Sequence, residues 1–197
     1  MTTNFDTLID TFMKNEIGID ANFLSEKLSD GLQQNIIQLQ RNNLMHDATI
    51  GNDELKDEHQ KVRSDKIYWM DKSHNNAFEN QFLQQTEDFI SYLNMTCYTG
   101  ITASEFHYAV YEKGSFYKRH RDQFKNDDNR KYSLINYLNK DWTQENGGEL
   151  LVYNKNKVQH IMPHSQQAIF FESHKNEHEV MVANRSRMSI TGWLKQI

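Results

Sequence analysis

An α+β fold is predicted, with helices in the first half of the chain and short strands in the second. Up to Met95, apolar residues recur mainly at the spacing of one helix face, whereas from Thr102 onward they alternate with a period of two. Roughly eight short strands separated by turn residues are typical of a sandwich, a jelly roll or a barrel. No linker, repeat or low-complexity segment interrupts the sequence. We therefore expect one domain over residues 1–197, in which helices brace one face of a sheet.

Three stretches have the pattern of amphipathic helices. The first, Asn4–Lys14, is expected to end at Gly18, because glycine readily takes the left-handed conformation found after helix ends. Asp20 is expected to cap a second helix over Ala21–Asn42. The third is expected over Ala77–Met95. Their apolar stripes indicate packing on a sheet rather than a ligand site.

The connection between the second and third helices is polar at first and then extended. Asp47–Gln60 is expected to form a loop, and Val62–Met70 a strand. Alternate residues of that strand share one face, namely Arg63, Asp65, Ile67 and Trp69. Because a buried charge needs a partner, we expect Arg63 or Asp65 to pair with a group inside the protein.

The strands of the core are expected within residues 102–195. Turn residues separate them, among them Gly147, Gly148 and Pro163. The expected strands are Ser104–Glu112, Phe116–His120, Lys131–Asn139, Gly148–Tyr153, Lys157–Ile161, Gln167–Glu172, His178–Val182 and Arg187–Lys195.

Composition and charge argue against several classes of protein. No apolar run approaches the roughly 18 residues of a membrane span, and the acidic stretch Met1–Gly18 differs from a secretory signal. The single cysteine, Cys97, excludes an internal disulfide framework and is typical of the reducing cytoplasm. The formal net charge of -5 disfavours nucleic acid, since phosphate binding requires a basic surface. We expect a cytoplasmic protein with neither membrane nor nucleic acid as its partner.

A candidate metal site combines a His-x-Asp pair with a distant histidine. The pair is His120 and Asp122, and the third residue is His178. Two imidazoles and one carboxylate, with the other coordination positions open, are typical of non-haem Fe(II) oxygenases. The pair alone is a weak signal, because 9 histidines and 27 acidic residues would produce about one such pair by chance.

Other histidines compete with His178 for the third position. His178 opens a predicted strand, where a side chain is held rigidly, whereas His174 lies in the polar turn SHKNE. His178 also precedes Arg187 by nine residues. The remaining competitors are His160 and His164, and four histidines are interpreted as surface or structural residues: His46, His59, His74 and His107.

The last predicted strand carries an arginine on an inward face. Arg187 shares that face with Ser189, Thr191 and Trp193. A buried guanidinium requires a carboxylate partner. If the protein supplies none, an oxo-acid with two carboxylates can do so, with one end on Arg187 and the other end on the metal.

At this point the sequence resembles the Fe(II)- and 2-oxoglutarate-dependent prolyl hydroxylases. It is most similar to the oxygen-sensing (HIF-type) enzymes and their bacterial relatives. The similar motifs, in order, are VRSDKIYW at 62–69, Tyr111 with Gly114, His120-Arg121-Asp122, Arg130, YLNKDW at 137–142, GGEL at 147–150, His178-Glu179-Val180, Arg187 and Trp193. The resemblance covers about residues 62–193. The chain departs from the family pattern at Ser64, where glycine is usual, and at Asn136, where an aromatic residue is common.

The resemblance implies a role for each residue of the metal and co-substrate site. His120, Asp122 and His178 would bind Fe(II). Arg187 would pair with the C5 carboxylate of 2-oxoglutarate, and Tyr137 would donate a hydrogen bond to the same carboxylate.

Further residues would surround that site. Three would line or support the co-substrate pocket: Tyr111, Thr191 and Trp193. On the substrate side, Arg63 would face the substrate and Asp65 would pair with Arg130.

The resemblance also implies a fold and an activity. The fold would be a double-stranded β-helix (jelly roll), with a mainly helical lead-in over residues 1–60 packed against the major sheet. The activity would be 4-hydroxylation of a prolyl residue in a protein, such as a translation factor or a ribosomal protein. Dioxygen and 2-oxoglutarate would be consumed, succinate and CO2 released, and ascorbate would serve as reductant.

Three alternatives remain open at the level of the sequence. A related oxygenase could hydroxylate a small molecule or a free amino acid, and a closed pocket rather than an open groove would favour it. A nucleic-acid demethylase is disfavoured by the net charge of -5. A catalytically silent jelly-roll binding module would have no need for all four of His120, Asp122, His178 and Arg187.

Overall fold

The computed structural model describes residues 5–48, 62–123, 128–154 and 157–197. Within these ranges the chain forms three helices: α1 (Asp6–Asn15), α2 (Glu26–Arg41) and α3 (Ala77–Cys97). Over the same ranges the strands are β1 (Ile17–Asp20), β2 (His46–Asp47), β3 (Lys66–Trp69), β4 (Ala103–Tyr111), β5 (Tyr117–His120), β6 (Arg130–Tyr137), β7 (Leu150–Asn154), β8 (Lys157–Ile161), β9 (Ala168–Glu172), β10 (Glu177–Val180) and β11 (Arg187–Lys195). Short 3-10 turns follow β3 at 72–74 and precede β7 at 144–146.

The strands form two sheets. The larger sheet has seven strands in the order β1-β9-β6-β11-β4-β3-β2, and the smaller has four in the order β5-β10-β7-β8. Neighbouring strands are antiparallel in both sheets. From β4 to β7 the chain crosses between the sheets at every connection, and it does so again from β8 to β11. This path makes the two sheets parts of one core.

The helices cover one face of the seven-stranded sheet. Leu8 on α1, Leu32 on α2 and Phe82 on α3 are each fully buried in a shared apolar layer. The sheet contributes alternate residues to this layer, among them Phe106 and Phe170. Because side chains of a strand alternate between faces, the residues in between point away from the helices.

The opposite face of the large sheet packs against the small sheet. Tyr137 and Ile169 from the large sheet share a second apolar cluster with Leu150, Val152 and Val180 from the small sheet. The cavity described below lies at one end of this layer, so the same alternation that builds the core also aims polar residues at the site.

Most predicted elements are present, and the differences lie at their ends. The third helix and the eight core strands are found within two residues of their predicted bounds. Strand β3 is shorter than expected, since Val62–Ser64 precede the strand. The expected loop at Asp47–Gln60 lies mostly outside the described residues, although His46 and Asp47 form the short strand β2.

The segment between the first two helices differs from the prediction. Helix α1 ends with Glu16 in the left-handed conformation (φ 61°), so the expectation that Gly18 would end it is wrong. Gly18 belongs to β1, where an added Cβ would lie 2.6 Å from the carbonyl oxygen of Leu8. The cap of α2 is Ser25 rather than Asp20, since Asp20 pairs with Ala168 of β9.

No helix in the described part of the chain is both long enough and apolar enough to cross a membrane.

Candidate metal centre and its cavity

Three predicted metal ligands meet at one point between the sheets. Ligand atoms of His120, Asp122 and His178 all lie within 4.8 Å of one another. The Nε2 atom of His120 is 3.4 Å from Oδ1 of Asp122, and that of His178 is 3.6 Å from Oδ2. Two imidazole nitrogens and a carboxylate suit a divalent first-row metal with open coordination positions. No other group of this kind occurs in the described ranges.

The small sheet brings the three residues together. His120 ends β5, and His178 lies directly opposite it on β10 in the antiparallel register. Their ring centroids are 4.2 Å apart. Asp122 follows β5 by two residues. Strand pairing therefore joins ligands that are far apart in the sequence.

Backbone carbonyls set the orientation of both imidazoles. Nδ1 of His120 lies 2.8 Å from the carbonyl oxygen of Lys118, and Nδ1 of His178 lies 3.3 Å from that of Asn176. A carbonyl oxygen only accepts, so Nδ1 carries the hydrogen in each ring and donates it. The Nε2 lone pairs are then left to face Asp122, as a metal ligand requires.

The carboxylate of Asp122 stays ionised despite its burial. Burial alone would raise its pKa, but the adjacent His178 and His120 outweigh that effect and hold the pKa of Asp122 well below its usual range. The hydroxyl of Ser133 on β6 donates a hydrogen bond of 2.7 Å to its Oδ2 atom. A residue of the large sheet thus holds the side chain of Asp122, which follows strand β5 of the small sheet.

The imidazole of His178 is neutral at ordinary pH. Burial lowers its pKa to about 4, and although Asp122 opposes this shift, His120 adds to it. A neutral imidazole is the form that binds a metal, so no proton has to leave His178 before binding near pH 7.

A cavity of about 260 Å³ extends from the metal residues along the inner face of the large sheet. Its walls come from both sheets. All four residues that the sequence placed on one face of β11 line it: Arg187, Ser189, Thr191 and Trp193. The period-two prediction for this strand is confirmed.

Arg187 is the largest fully buried side chain, with 1% of its surface exposed. Its Nε donates to the carbonyl oxygen of Gly148 at 2.8 Å, and Nη1 lies 3.5 Å from the hydroxyl of Ser189. Among the described residues, no carboxylate lies within 4.0 Å of this guanidinium. A buried guanidinium without a carboxylate partner in the protein can bind a carboxylate of a ligand.

Two tyrosines flank the guanidinium. The rings of Tyr111 and Tyr137 each have their centroid 4.9 Å from Cζ of Arg187. The buried hydroxyl of Tyr137 makes no hydrogen bond of ordinary geometry to any described residue. Burial raises the pKa of Tyr137, although Arg187 opposes the shift, so the hydroxyl keeps its hydrogen as a donor.

The Gly147–Gly148 pair allows this arrangement. Both glycines have positive φ, at 58° and 65°. A Cβ on Gly148 would lie 3.0 Å from Cδ of Arg187, and one on Gly147 would lie 2.5 Å from the carbonyl oxygen of Val182. Only glycine combines this backbone with such close packing.

Two arginines that line the cavity, Arg63 and Arg130, pair differently from the expectation. Asp65 was expected to pair with Arg130, and this is wrong. Asp65 forms a bidentate pair with Arg63, with contacts of 2.6 and 2.7 Å. Arg130 pairs with Glu105 at 2.8 and 3.0 Å, and its guanidinium lies 3.5 Å above the ring of Trp193. Both residues of the Arg63–Asp65 pair precede β3, which starts only at Lys66.

Tyr117 and His107 are among the cavity residues that were not assigned to the site from the sequence. Tyr117 stacks on the ring of His120 with centroids 3.5 Å apart. His107, interpreted as a surface or structural histidine, is buried and lines the cavity. The sequence could have indicated the position of His107, because every second residue of β4 points to the same face. His107 and Ala109 therefore share a face with Tyr111, which is opposite Arg187.

Known proteins share this fold and the sequence of its core. Residues 106–195 match the family model of the 2OG-Fe(II) oxygenase superfamily. Prolyl hydroxylase EGLN3 of Mus musculus is 26% identical over 185 residues, which are 87% of this chain and 75% of that protein. Egl nine homolog 1 of Homo sapiens is 30% identical over 152 residues, which cover 67% of this chain and 33% of that protein.

Solved structures agree with these relatives. A Pseudomonas putida prolyl-4-hydroxylase superposes with a TM-score of 0.89 and 26% identity, over 98% of this chain and 100% of that one. A Trichoplax adhaerens prolyl hydroxylase in complex with a hypoxia inducible factor oxygen degradation domain peptide superposes with a TM-score of 0.86 and 27% identity, over 97% of this chain and 88% of that one. Residues 106–195, which hold the clustered histidines and the carboxylate, therefore form a 2OG-Fe(II) oxygenase domain.

Proposed function

We propose that the protein is a prolyl 4-hydroxylase that acts on a prolyl residue of a peptide or protein. The observation that carries this proposal is the cavity with a His-His-Asp cluster at one end and the buried Arg187, which lacks a carboxylate partner among the described residues, deeper inside. The similar proteins are prolyl hydroxylases, which supports proline as the target.

His120, Asp122 and His178 are proposed to hold Fe(II). The ring orientation described above supports this assignment, because both Nε2 atoms face the carboxylate. When bound, Fe(II) with 2-oxoglutarate and O2 supplies the oxidation, in which the oxo-acid becomes succinate and CO2 and one oxygen atom enters a C–H bond. Ascorbate is the expected reductant that keeps the iron in its divalent state.

Arg187 is proposed to bind the distant carboxylate of 2-oxoglutarate. Its burial supports this role, since a charged pair is strong where water is excluded. The hydroxyl of Tyr137, which makes no hydrogen bond of ordinary geometry to a described residue, is proposed to donate to the same carboxylate. Tyr111 and Thr191 line the same cavity and are proposed to shape the co-substrate pocket. Together these residues orient the oxo-acid and exclude water.

We also propose that the two sheets are the halves of a double-stranded β-helix. The strand order β9-β6-β11-β4 in one sheet and β5-β10-β7-β8 in the other supports this description. The helices on the outer face of the larger sheet would then form the lead-in to a single catalytic domain.

The substrate is proposed to approach near Arg63, Arg130 and Trp193. Arg63 and Arg130 both line the cavity, and Asp65 pairs with Arg63. A translation factor or a ribosomal protein in the cytoplasm is the substrate that we propose to test first. Trp69, half-exposed at this border, favours a peptide over a small molecule, since the cavity opens to the surface there.

The test is succinate formation by the purified protein. Fe(II), 2-oxoglutarate, ascorbate and O2 would be supplied with proline-containing peptides, and mass spectrometry would search the peptides for one added oxygen atom on proline. We expect iron-dependent succinate release together with 4-hydroxyproline.

Arg187→Met serves as the negative control, and Arg185→Met as the matched positive control. Arg185 is exposed and donates to the backbone carbonyls of Lys140 and Asp141. Succinate release could instead continue without oxidation of proline and rise when a free amino acid is added. This result would favour the alternative that the substrate is a small molecule.

A further inference from the structure

A buried histidine that the proposed mechanism does not use forms part of the cavity wall. His107 on β4 has 3% of its surface exposed. Its ring centroid lies 5.0 Å from that of Trp69 and 5.4 Å from that of Trp193. Its enclosed Nδ1 has no hydrogen-bond partner in the described part of the chain. A donor that is enclosed without a partner is costly, so Nδ1 is left as the bare ring nitrogen and the hydrogen lies on Nε2, the ring nitrogen that can face a ligand in the cavity.

The strand register places His107 away from the end that holds Arg187. His107 is opposite Trp69 on β3 and Thr191 on β11. Arg187 is opposite Tyr111, four residues farther along β4, which corresponds to roughly 13 Å of strand. Asp122, however, is held by Ser133 on β6, on the other side of β11 from β4, so His107 lies on the β3 side of the line from Arg187 to the metal residues.

His107 instead lies between the protein surface and the metal centre. On its outer side, Trp69 is 47% exposed. On its inner side, Trp193 is buried and is opposite Ser133, whose hydroxyl donates to Asp122. His107 thus contacts both the exposed Trp69 and the buried Trp193.

The chemistry of the ring suits a prolyl peptide. Burial, together with the positive charge of Arg63, lowers the pKa of His107 to about 4, so the ring is neutral and has one N–H donor and one acceptor. Asp65 and Asp122 oppose this shift, and Arg130 adds to it. A prolyl residue has no N–H, so its backbone offers only carbonyl acceptors. Aromatic walls, such as Trp69 and Trp193 here, are a common surface for binding proline rings.

We propose that His107 is a specificity-determining residue, which donates a hydrogen bond to a backbone carbonyl of the substrate beside the target proline while the two tryptophans contact the peptide. This inference rests on the proposed prolyl hydroxylase function. The competing explanation is that His107 only fills the space between Trp69 and Trp193.

The test uses three variants and one defined probe. His107→Leu and His107→Met remove the donor, whereas His107→Gln keeps an N–H. The probe is a pool of capped pentapeptides with a central proline and mixed residues at the other four positions. Succinate formation would be measured against pool concentration. Binding of 2-oxoglutarate would be measured without O2 by calorimetry in the presence of Mn(II), and folding by thermal unfolding.

We expect both apolar variants to raise the apparent KM for the pool about tenfold, as the loss of one buried hydrogen bond does, and His107→Gln to stay within about threefold of the parent. The affinity for 2-oxoglutarate should not change in any variant. These two results together would separate a peptide contact from a general disturbance of the cavity.

Other results would overturn the inference in distinguishable ways. An unchanged KM in His107→Leu, or an equal increase in His107→Gln, would remove the donor role and leave the proposed function intact. Weaker 2-oxoglutarate binding in the apolar variants would assign His107 to the co-substrate pocket. A parent protein that oxidises no proline in the pool would reject the proposed function and this inference with it.

Discussion

At the scale of single residues, the site depends on charge held inside the protein. Asp122 and Arg187 are both buried, and each is stabilised by a different set of neighbours. Asp122 has two imidazoles and a hydroxyl around it, whereas Arg187 has a carbonyl, a hydroxyl and two aromatic rings. The carboxylate of Asp122 can therefore bind a cation, and the guanidinium of Arg187 can bind the carboxylate of a ligand.

The first prediction concerns the metal ligands. His120→Ala and Asp122→Ala should each weaken Mn(II) binding by more than about 100-fold, because loss of a supporting partner alone typically costs 10–100-fold. Calorimetry on the metal-free protein would measure this. The control is His160→Ala, since this exposed imidazole pairs only with Glu149 among the described residues. Equal metal affinity in Asp122→Ala and the control would exclude the assigned site.

The second prediction concerns Arg187. Arg187→Met should weaken 2-oxoglutarate binding about 10- to 100-fold, because hydrogen bonds to a charged group are worth about 1.5–3 kcal/mol. Calorimetry with Mn(II) present would measure the affinity, and Mn(II) binding by itself should not change. The exposed Arg185→Met variant should bind the co-substrate as the parent does. A loss of the same size in both variants would contradict the pocket assignment.

At the scale of elements, the turn before β7 supports the side chain on β11. Trp142 donates to the carbonyl oxygen of Gly147 at 2.9 Å, and the Gly148 carbonyl accepts from Arg187. The turn thus fixes the guanidinium of Arg187 through the backbone carbonyl of Gly148.

The third prediction compares two glycines with positive φ. Gly148→Ala and Gly114→Ala should each lower the free energy of unfolding by about 1–2 kcal/mol, the usual cost of a left-handed backbone for alanine. Only Gly148→Ala should also weaken 2-oxoglutarate binding, because its Cβ would lie 3.0 Å from Cδ of Arg187, whereas nothing lies within 4 Å of a Cβ at Gly114. Chemical denaturation and calorimetry would separate the two effects. If both variants lost affinity for 2-oxoglutarate equally, contact between the new Cβ at position 148 and Arg187 would not be the cause.

At the scale of the whole molecule, the layer between the sheets contains neutral histidines. The pKa values of His107 and His178 are both lowered to about 4 from 6.5, chiefly by burial. The unfolded chain therefore binds more protons than the folded chain between pH 6.5 and 4. The stability that each ring contributes is complete above pH 6.5 and is lost as the pH falls towards 4.

The fourth prediction follows from this difference. The metal-free protein should lose about 2–3 kcal/mol of unfolding free energy per buried histidine between pH 7 and 4.5, since one pKa unit corresponds to 1.36 kcal/mol. Urea denaturation across this range would measure the loss. In His107→Leu, the loss of unfolding free energy between pH 7 and 4.5 should be smaller than in the parent by about the 2–3 kcal/mol of one histidine. Identical pH profiles would show that His107 is not buried neutral in the folded state.

The sequence by itself determined the pattern of elements and the identity of the site's main residues. Period two along β11 placed Arg187, Ser189, Thr191 and Trp193 on one face, and the structure has them there. This works because the direction of a side chain along a strand depends only on its neighbours in the chain. His178 was preferred as the third ligand because it opens a strand and precedes Arg187 by nine residues, and the structure brings it to His120 and Asp122.

Contacts between strands were decided only by the tertiary structure. Asp65 pairs with Arg63 instead of Arg130, and Arg130 pairs with Glu105 on β4. Residues 17–20 form a strand only by pairing with β9, which begins near residue 168, so local periodicity carried no sign of it. His107 likewise becomes a cavity residue only because β3 and β11 lie on either side of β4. The register between two distant strands depends on which side chains of both strands are buried together. The pattern of one strand alone does not show which residues of another strand lie opposite it.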